Sequence, residues 1–208
     1  MNFNIQQEIM ESINCDDFTI RSSLPQIVKA IEAMIKCYKN GGRVICFGNG
    51  PSAGDSQHIV GELINKLYLE HPMLDSLSLT VNTSVLTAIG NDSDFSYVFS
   101  RQIESLATKK DVIIAISTSG NSMNVINGVK KAKELGSTII SLTGIQGGEL
   151  ANISDINLKV NSSNEDRIHE TNILLGHILC EKVENELFGT QNYKTMDEQV
   201  LETASECI

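Results

Sequence analysis

Apolar residues follow two different periods along the chain, one typical of helices and the other of buried strands. Through residues 1–40, apolar side chains such as Ile27, Ile31 and Met34 recur at spacings of four and three, which predicts an amphipathic helix that ends at Gly41. Short runs rich in β-branched residues predict strands at 43–47, 77–81, 111–117, 137–143 and 156–160. Helices are predicted between them, at 52–69, 86–90, 95–107 and 124–135, and a long closing helix is predicted at 167–187.

Most predicted strands are followed by a turn rich in Gly, Ser or Thr and then by a helix. This alternation is typical of a parallel sheet that is covered by helices on both faces. We therefore expect a single α/β domain over residues 1–208, a doubly wound three-layer sandwich with a central parallel sheet. The N-terminal helical segment spans about 1–40, and the polar tail, about 189–208, is loosely ordered or forms a small extra helix. Ligands of such sheets bind beyond the carboxyl ends of the strands.

The charge balance limits the classes of partner. The 208 residues include 16 Lys and Arg against 26 Asp and Glu, a net charge of −10, which argues against a general binder of nucleic-acid backbones. The polar, acidic N-terminus resembles no signal peptide, and no apolar run is long enough to cross a bilayer. We expect a cytoplasmic protein with no nucleic-acid or membrane partner. Five cysteines without a CxxC pair predict buried free thiols.

Two turns have the composition of an anion site. The segment STSGNS (117–122) supplies four hydroxyl groups and a glycine between a predicted strand and a helix N-terminus, where backbone N–H groups and the helix dipole favour an anion. The segment GNGPS (48–52) lies after an earlier strand, and Ser52 is a candidate N-cap of the helix that follows. The alternative is an ordinary capping turn. Neither segment matches a Walker loop or G-x-G-x-x-G, which disfavours a dinucleotide-binding fold.

Four histidines are the other candidates for chemistry. His58 and Glu62 are four residues apart and share one face of a predicted helix, a spacing that suits two ligands of one divalent metal or an imidazole beside a carboxylate base. His169 and His177 are eight apart, about 80° around a helix at ~100° per residue, so both can face one cleft. The alternatives are a solvated His58–Glu62 pair and a buried, hydrogen-bonded His177. We expect His71 to be a surface loop residue.

Several separated segments resemble the sugar-isomerase (SIS) domain family, and within it the phosphoheptose isomerases. They are GNGPSAGDSQHIVGEL (48–63), LTAIGND (86–92), DVIIAISTSGNS (111–122), SLTGIQGGELA (141–151) and EDRIHETNILLGHILCEKVE (165–184). The resemblance covers about residues 20–188. It implies a flavodoxin-like SIS fold and a homotetramer with active sites at subunit interfaces. It also implies one Zn²⁺ per subunit.

The resemblance implies an aldose–ketose isomerase that acts through an enediol(ate). Its reaction converts sedoheptulose 7-phosphate to D-glycero-D-manno-heptose 7-phosphate, for bacterial heptose biosynthesis in lipopolysaccharide core, capsule or S-layer glycan. Glu62 would move the proton between C1 and C2, with His177 as its acid/base partner. The implied metal ligands are His58, Glu62, His169 and His177. The implied substrate contacts are Asn49, Gly50, Ser52, Lys66, Asp92, Ser117, Thr118, Ser119, Ser122, Asp166 and His169.

Three residues depart from the pattern of that family. His169 stands where the family usually has glutamine, and an imidazole is the better zinc ligand. Lys66 replaces an arginine and loses its bidentate fork, and Pro51 replaces a glycine and removes one backbone N–H. These changes concern the identity of the substrate and leave the isomerase chemistry intact.

An alternative comes from non-catalytic relatives, tetramers that bind the bacterial replication initiator DnaA. Segments 84–92 and 142–151 resemble that branch as much as the isomerases. Those binders lack the catalytic carboxylate, whereas this chain has both Glu62 and His177, and we therefore favour the isomerase. A sugar-phosphate-sensing regulator is less favoured, since no DNA-binding segment precedes the domain.

Overall fold

A five-stranded parallel sheet forms the centre of the fold in the computed structural model, which describes residues 4–189. The strands are β1 (Val44–Gly48), β2 (Ser76–Ser78), β3 (Val112–Ser117), β4 (Thr138–Thr143) and β5 (Ile156–Lys159). Their order across the sheet is β2-β1-β3-β4-β5, and β1 pairs in parallel with both β2 and β3. The chain therefore reverses its direction of winding between β1 and β3, which is the position where open α/β sheets bind ligands.

Helices cover both faces of the sheet. They are α1 (Ile5–Lys39), α2 (Pro51–Ile64), α3 (Thr83–Asp92), α4 (Ser100–Leu106), α5 (Met123–Glu134), α6 (Gly148–Ile153) and α7 (Glu165–Phe188), with a 3-10 turn at Phe95–Tyr97. Helices α1, α2 and α7 pack on one face, and α4, α5 and α6 on the other. The buried strand β3 serves both cores, because Ile114 and Ile116 point to the first and Ile113 and Ala115 to the second. The predicted three-layer α/β sandwich is confirmed.

Several predicted bounds are wrong in detail. The helix predicted at 52–69 ends at Ile64, because the backbone N–H groups of Leu67 and Tyr68 donate instead to the distant carboxylate of Glu184. Its N-cap is Gly50 and not Ser52. The helix predicted at 95–107 is divided into the 3-10 turn and α4, and α6 was not predicted at all.

The cysteine prediction is confirmed within the described residues. Cys15, Cys37, Cys46 and Cys180 are buried free thiols. Burial raises the pKa of Cys37 to about 11 and that of Cys180 to about 12, so both stay protonated at neutral pH. Cys207 and the rest of the polar tail beyond Gly189 lie outside the described residues. No helix among residues 4–189 has both the length and the apolar content that crossing a membrane requires.

Candidate active site

Helices α2 and α7 lie side by side on the same face of the sheet. A glycine sets how close they come, since a Cβ at Gly176 would lie 2.8 Å from Cγ1 of Ile59. The thiol of Cys180, one turn further along α7, faces the carbonyl oxygen of Ile59 at 3.8 Å. The absence of a side chain at Gly176 therefore lets polar groups on the two helices meet.

Three polar side chains converge across this contact. The Nε2 atoms of His58 on α2 and His177 on α7 are 2.8 Å apart, and His58 Nε2 is 3.3 Å from Oε1 of Glu62. One ligand atom from each of the three residues lies within 4.8 Å of the others. Two imidazole nitrogens at this distance need a proton or a cation between them, because two lone pairs repel each other. The cluster is open on one side, since the His58 side chain is 46% exposed.

The donor set of this cluster fits a divalent transition metal. Two imidazole nitrogens and one carboxylate oxygen are the three protein ligands of many catalytic zinc sites, which keep a fourth position open for water or substrate. Ligand atoms at about 2.0–2.2 Å from a tetrahedral zinc lie roughly 3.3 Å apart. The distances of 2.8 and 3.3 Å in the cluster are close to this value. His58, Glu62 and His177 could therefore hold a metal with little movement.

His169, the fourth ligand implied by the resemblance, is not part of this convergence. Its Nδ1 atom is 3.3 Å from Oδ2 of Asp55, three residues before His58 on α2. Burial raises the pKa of the Asp55 carboxyl, while the hydrogen bond to His169 and the proximity of His58 act in the opposite direction. Asp55 was not predicted as a site residue. Its spacing from His58 and Glu62, which puts all three on one helix face, is the signal that could have identified it.

A cavity of about 200 Å³ opens beside His169. It lies at the carboxyl ends of β1 and β3, where the strand order reverses. The residues that line it are Asn49, Pro51, Ser52, Ile116, Ser117, Thr118, Ser122, Glu165, Asp166 and His169. Seven of these were predicted substrate contacts, and the structure brings them together.

The start of two helices makes part of this cavity suited to an anion. Helices α2 and α5 both begin at it, with no acidic residue in the first turn and no side-chain hydrogen bond that caps the N-terminus. Helix α7 differs, because Glu165 and Asp166 occupy its first turn and Asn164 caps it. The helix dipoles therefore favour an anion on the side of α2 and α5, although the first N–H groups of α2 already donate to carbonyl oxygens of the preceding turn.

The turn after β3 is held in place by its neighbours. Gly120 has a φ of +68°, and a Cβ there would lie 1.9 Å from the carbonyl oxygen of Gly147. The N–H of Leu150 donates to the carbonyl of Gly120 at 2.9 Å. On the other side of the cavity, the amides of Asn49 and Asn124 form two reciprocal hydrogen bonds of 2.8 Å. The cavity wall is therefore formed before a ligand binds.

Four predicted substrate residues do not line this cavity. Gly50 is the N-cap of α2, with a φ of +53°, and Ser119 accepts a hydrogen bond from the backbone of its own turn. Lys66 lies beyond the end of α2 in an exposed ion pair with Glu70. Asp92 is exposed at the end of α3. Their roles stay predictions.

Comparison with known proteins identifies the family. Residues 16–144 match the SIS domain. A phosphoheptose isomerase from Clostridium acetobutylicum is 45% identical over 187 residues, which are 89% of this chain and 95% of that protein. The chain belongs to the SIS-domain family. A phosphoheptose isomerase from Aneurinibacillus thermoaerophilus is 41% identical over 192 residues, with 90% of this chain and 96% of the relative covered.

Solved structures of the SIS-domain family place the chain in the same branch. The phosphoheptose isomerase of Francisella tularensis superimposes with a TM-score of 0.84 at 36% identity, covering 87% of this chain and 96% of that one. The phosphoheptose isomerase of Neisseria gonorrhoeae gives a TM-score of 0.82 at 38% identity, with 87% and 97% covered. The initiator-binding alternative has no support among these relatives.

Proposed function

We propose that the chain is a metal-dependent aldose–ketose isomerase that converts sedoheptulose 7-phosphate to D-glycero-D-manno-heptose 7-phosphate in bacterial heptose biosynthesis. The observation that carries the proposal is the convergence of Glu62 with His58 and His177, close to a cavity lined by hydroxyl groups. The relatives that span nine-tenths of the chain and are called phosphoheptose isomerases support this choice of substrate.

The hydroxyl-lined cavity is the proposed phosphate site. Ser52 and Ser122 offer hydroxyl donors at the start of α2 and α5, and the Ser117 hydroxyl beside them donates to that of Ser122. Neutral donors bind the phosphate without adding charge to the site. His169 lines the same cavity and contacts Asp55, which shares a helix face with His58. A sugar phosphate anchored here would extend its carbonyl end along this path toward Glu62.

Two side chains carry the proton transfers in this proposal. The Glu62 carboxylate takes the proton from C1 of the ketose, and the electron pair of that C–H bond becomes the C1–C2 double bond of the enediol(ate). His177 gives a proton to the C2 oxygen and takes one from the C1 hydroxyl. Glu62 then returns its proton to C2, which yields the aldose. Atoms and charge balance, and both side chains finish in their starting protonation states.

We propose zinc as the metal of the His58, Glu62 and His177 cluster, with His169 as the fourth ligand implied by the resemblance. Zinc in this position would polarise the carbonyl and stabilise the negative charge of the enediolate. The protein supplies ligands on two helices whose separation is fixed by Gly176 and Ile59.

We also propose a homotetramer with active sites at subunit interfaces. Helix α1 exposes a row of large apolar side chains, which water would not favour on a monomer. They are Ile5, Ile9, Met10, Ile13, Phe18, Leu24 and Val28. Asp92, which is exposed and does not line the cavity of its own subunit, suits a contact with a neighbouring subunit's substrate. Light scattering after size exclusion tests the tetramer, and the cytoplasmic location stays a prediction.

Proton NMR of the zinc-loaded protein with sedoheptulose 7-phosphate in D₂O tests the activity. We expect the signals of an aldose phosphate, with deuterium at the carbon next to the carbonyl, because a proton held by Glu62 exchanges with solvent. The absence of both product and exchange, with zinc bound, would contradict this substrate. That result would indicate that the substrate is another sugar phosphate, and that the departures at Lys66 and His169 change the substrate specificity.

A further inference from the structure

The Asp55–His169 pair is the least explained part of the site. The carboxylate on α2 and the imidazole on α7 come from positions 114 residues apart and meet at 3.3 Å between Oδ2 and Nδ1. Their side chains are only 15% and 22% exposed. Within residues 4–189, His169 is the one hydrogen-bond partner of the Asp55 carboxylate. The contact is therefore neither a helix cap nor a surface ion pair within one helix.

The contact determines which ring nitrogen of His169 carries the proton. An ionised carboxylate only accepts hydrogen bonds, so Nδ1 must be the donor. In a neutral imidazole the other nitrogen, Nε2, then keeps its lone pair. His169 also lines the cavity, and the ring edge opposite Asp55 is the one that this contact leaves free. A lone pair at that edge can accept a hydrogen bond from a sugar hydroxyl or bind a metal.

We propose that Asp55 is a positioning residue, which fixes the tautomer and the ring orientation of His169 so that Nε2 presents its lone pair to the cavity. Carboxylate–imidazole pairs of this kind keep the working nitrogen of a histidine basic and correctly aimed. The residue usual at this position in the family, glutamine, has no tautomer to select. Asp55 therefore acquires this role in a chain that carries histidine at position 169.

A double-mutant cycle isolates the effect of Asp55 on His169. We expect Asp55→Asn to impair substrate KM or zinc affinity by about tenfold, at the low end of what loss of such supporting groups costs. A change in KM alone identifies a sugar hydroxyl as the partner of Nε2, and a loss of zinc affinity identifies the metal. In the His169→Gln background, Asp55→Asn should change the same quantity far less.

Two results of this cycle would overturn the proposal. One is an equal effect of Asp55→Asn in both backgrounds, which would mean that Asp55 acts without the imidazole. The other is no effect in the wild-type background. Asp75→Asn is the matched control, since Asp75 is a half-exposed carboxylate paired with Arg43 at the opposite end of the sheet. It should change neither KM nor zinc affinity.

The kinetic test depends on the proposed function. A spectroscopic measurement tests the role of Asp55 independently of that function. The full-length, metal-free protein is labelled with ¹⁵N at Nδ1 of its four histidines and examined by solid-state NMR above the ordinary histidine pKa. The His169 signal is the one lost in His169→Gln. We expect a protonated Nδ1 in the wild type and a shift toward the unprotonated form in Asp55→Ala. A signal that is unprotonated in the wild type, or unchanged in Asp55→Ala, would refute the proposal whatever the substrate is.

Discussion

Two histidine–carboxylate pairs connect α7 to the segment formed by α2 and the loop that follows it, and the environments of the pairs differ. Asp55 and His169 meet near the cavity with 15% and 22% of their side chains exposed. Glu184 and His71 meet near the far end of α7, at 3% and 1% exposed. Both pairs join the region of α2 to α7 through the same chemical groups. Their surroundings decide what those groups do.

Both carboxylate oxygens of Glu184 and both ring nitrogens of His71 have a polar partner in the protein. Glu184 accepts hydrogen bonds from the backbone N–H groups of Leu67, at 2.9 Å, and Tyr68, at 3.0 Å, and its Oε1 is 3.2 Å from Nε2 of His71. The imidazole of His71 also stacks on Phe188, with ring centroids 4.7 Å apart. The expectation of a surface residue at His71 is therefore wrong. This pair fastens the loop after α2 to the end of α7.

The side chains of the site have donor or acceptor positions that no other group within residues 4–189 occupies. Among the described residues, His58, Glu62 and His177 have only one another as side-chain partners, and one side of the cluster is open. Groups of this kind are costly to arrange and are found where a ligand completes them. The comparison teaches that a carboxylate near an imidazole indicates function only where the surrounding chain leaves a donor or acceptor free.

The largest effect is expected from Glu62→Gln, which removes the proposed base from the open cluster. Turnover should fall by about 10²–10⁴-fold, because an amide cannot accept the proton from carbon. The midpoint of thermal unfolding should stay close to that of the wild type, since no backbone group in the described part of the chain donates to this carboxylate. Deuterium exchange and thermal unfolding, measured on the same samples, test both expectations.

Glu134→Gln is the matched control for Glu62→Gln, because that carboxylate lies on α5 in an exposed pair with Lys131. It should retain full turnover. Unchanged turnover in Glu62→Gln itself would remove this residue from the mechanism.

The opposite outcome is expected from Glu184→Gln. The amide oxygen accepts from at most two of the three donors, so at least one buried donor loses its partner. The free energy of unfolding should fall by about 3 kcal/mol, as for other broken buried pairs. Turnover per folded molecule should be retained. Denaturant unfolding at fixed protein concentration measures the loss, and a wild-type unfolding midpoint would mean that the buried pair does not stabilise the fold.

Gly176→Ala tests whether the close approach of α2 and α7 builds the site. The new Cβ would lie 2.8 Å from Ile59, so the helices must separate. We expect a loss of about 1–3 kcal/mol in stability, as for other overpacked positions. Zinc affinity should also fall, by about tenfold, as when groups that support ligands are displaced. Chelator competition measures the affinity.

Gly61→Ala is the control for Gly176→Ala, since a Cβ at Gly61 on α2 meets no atom within 4 Å. Alanine favours the helix by up to about 1 kcal/mol there, and zinc affinity should not change. Equal zinc affinity in Gly176→Ala and the wild type would show that helix separation does not govern the cluster.

Local patterns of the sequence predict the sheet and the part of the site that lies on α2. The strands are readable because burial on both faces makes them continuous apolar runs, and the four-residue spacing places His58 beside Glu62. Long-range contacts are not readable in this way. The apolar pattern after Ile64 continues as a helix would, but the carboxylate of Glu184, 117 residues beyond Leu67, accepts the N–H of that residue instead. The Asp55–His169 contact is invisible for the same reason.

The smallest effect is expected from His169→Gln. This variant tests whether His169 belongs to the metal cluster or to the cavity for the sugar phosphate. If His169 is the fourth zinc ligand, its amide replacement binds the metal less well and zinc affinity falls a few-fold. Chelator competition on the purified protein measures this, with the Gly61→Ala protein as reference. An unchanged zinc affinity would mean that His169 is not a ligand, and that three residues, His58, Glu62 and His177, hold the metal without it. The Asp55–His169 pair would then serve the sugar, and the contrast with the buried Glu184–His71 pair would rest on substrate binding alone.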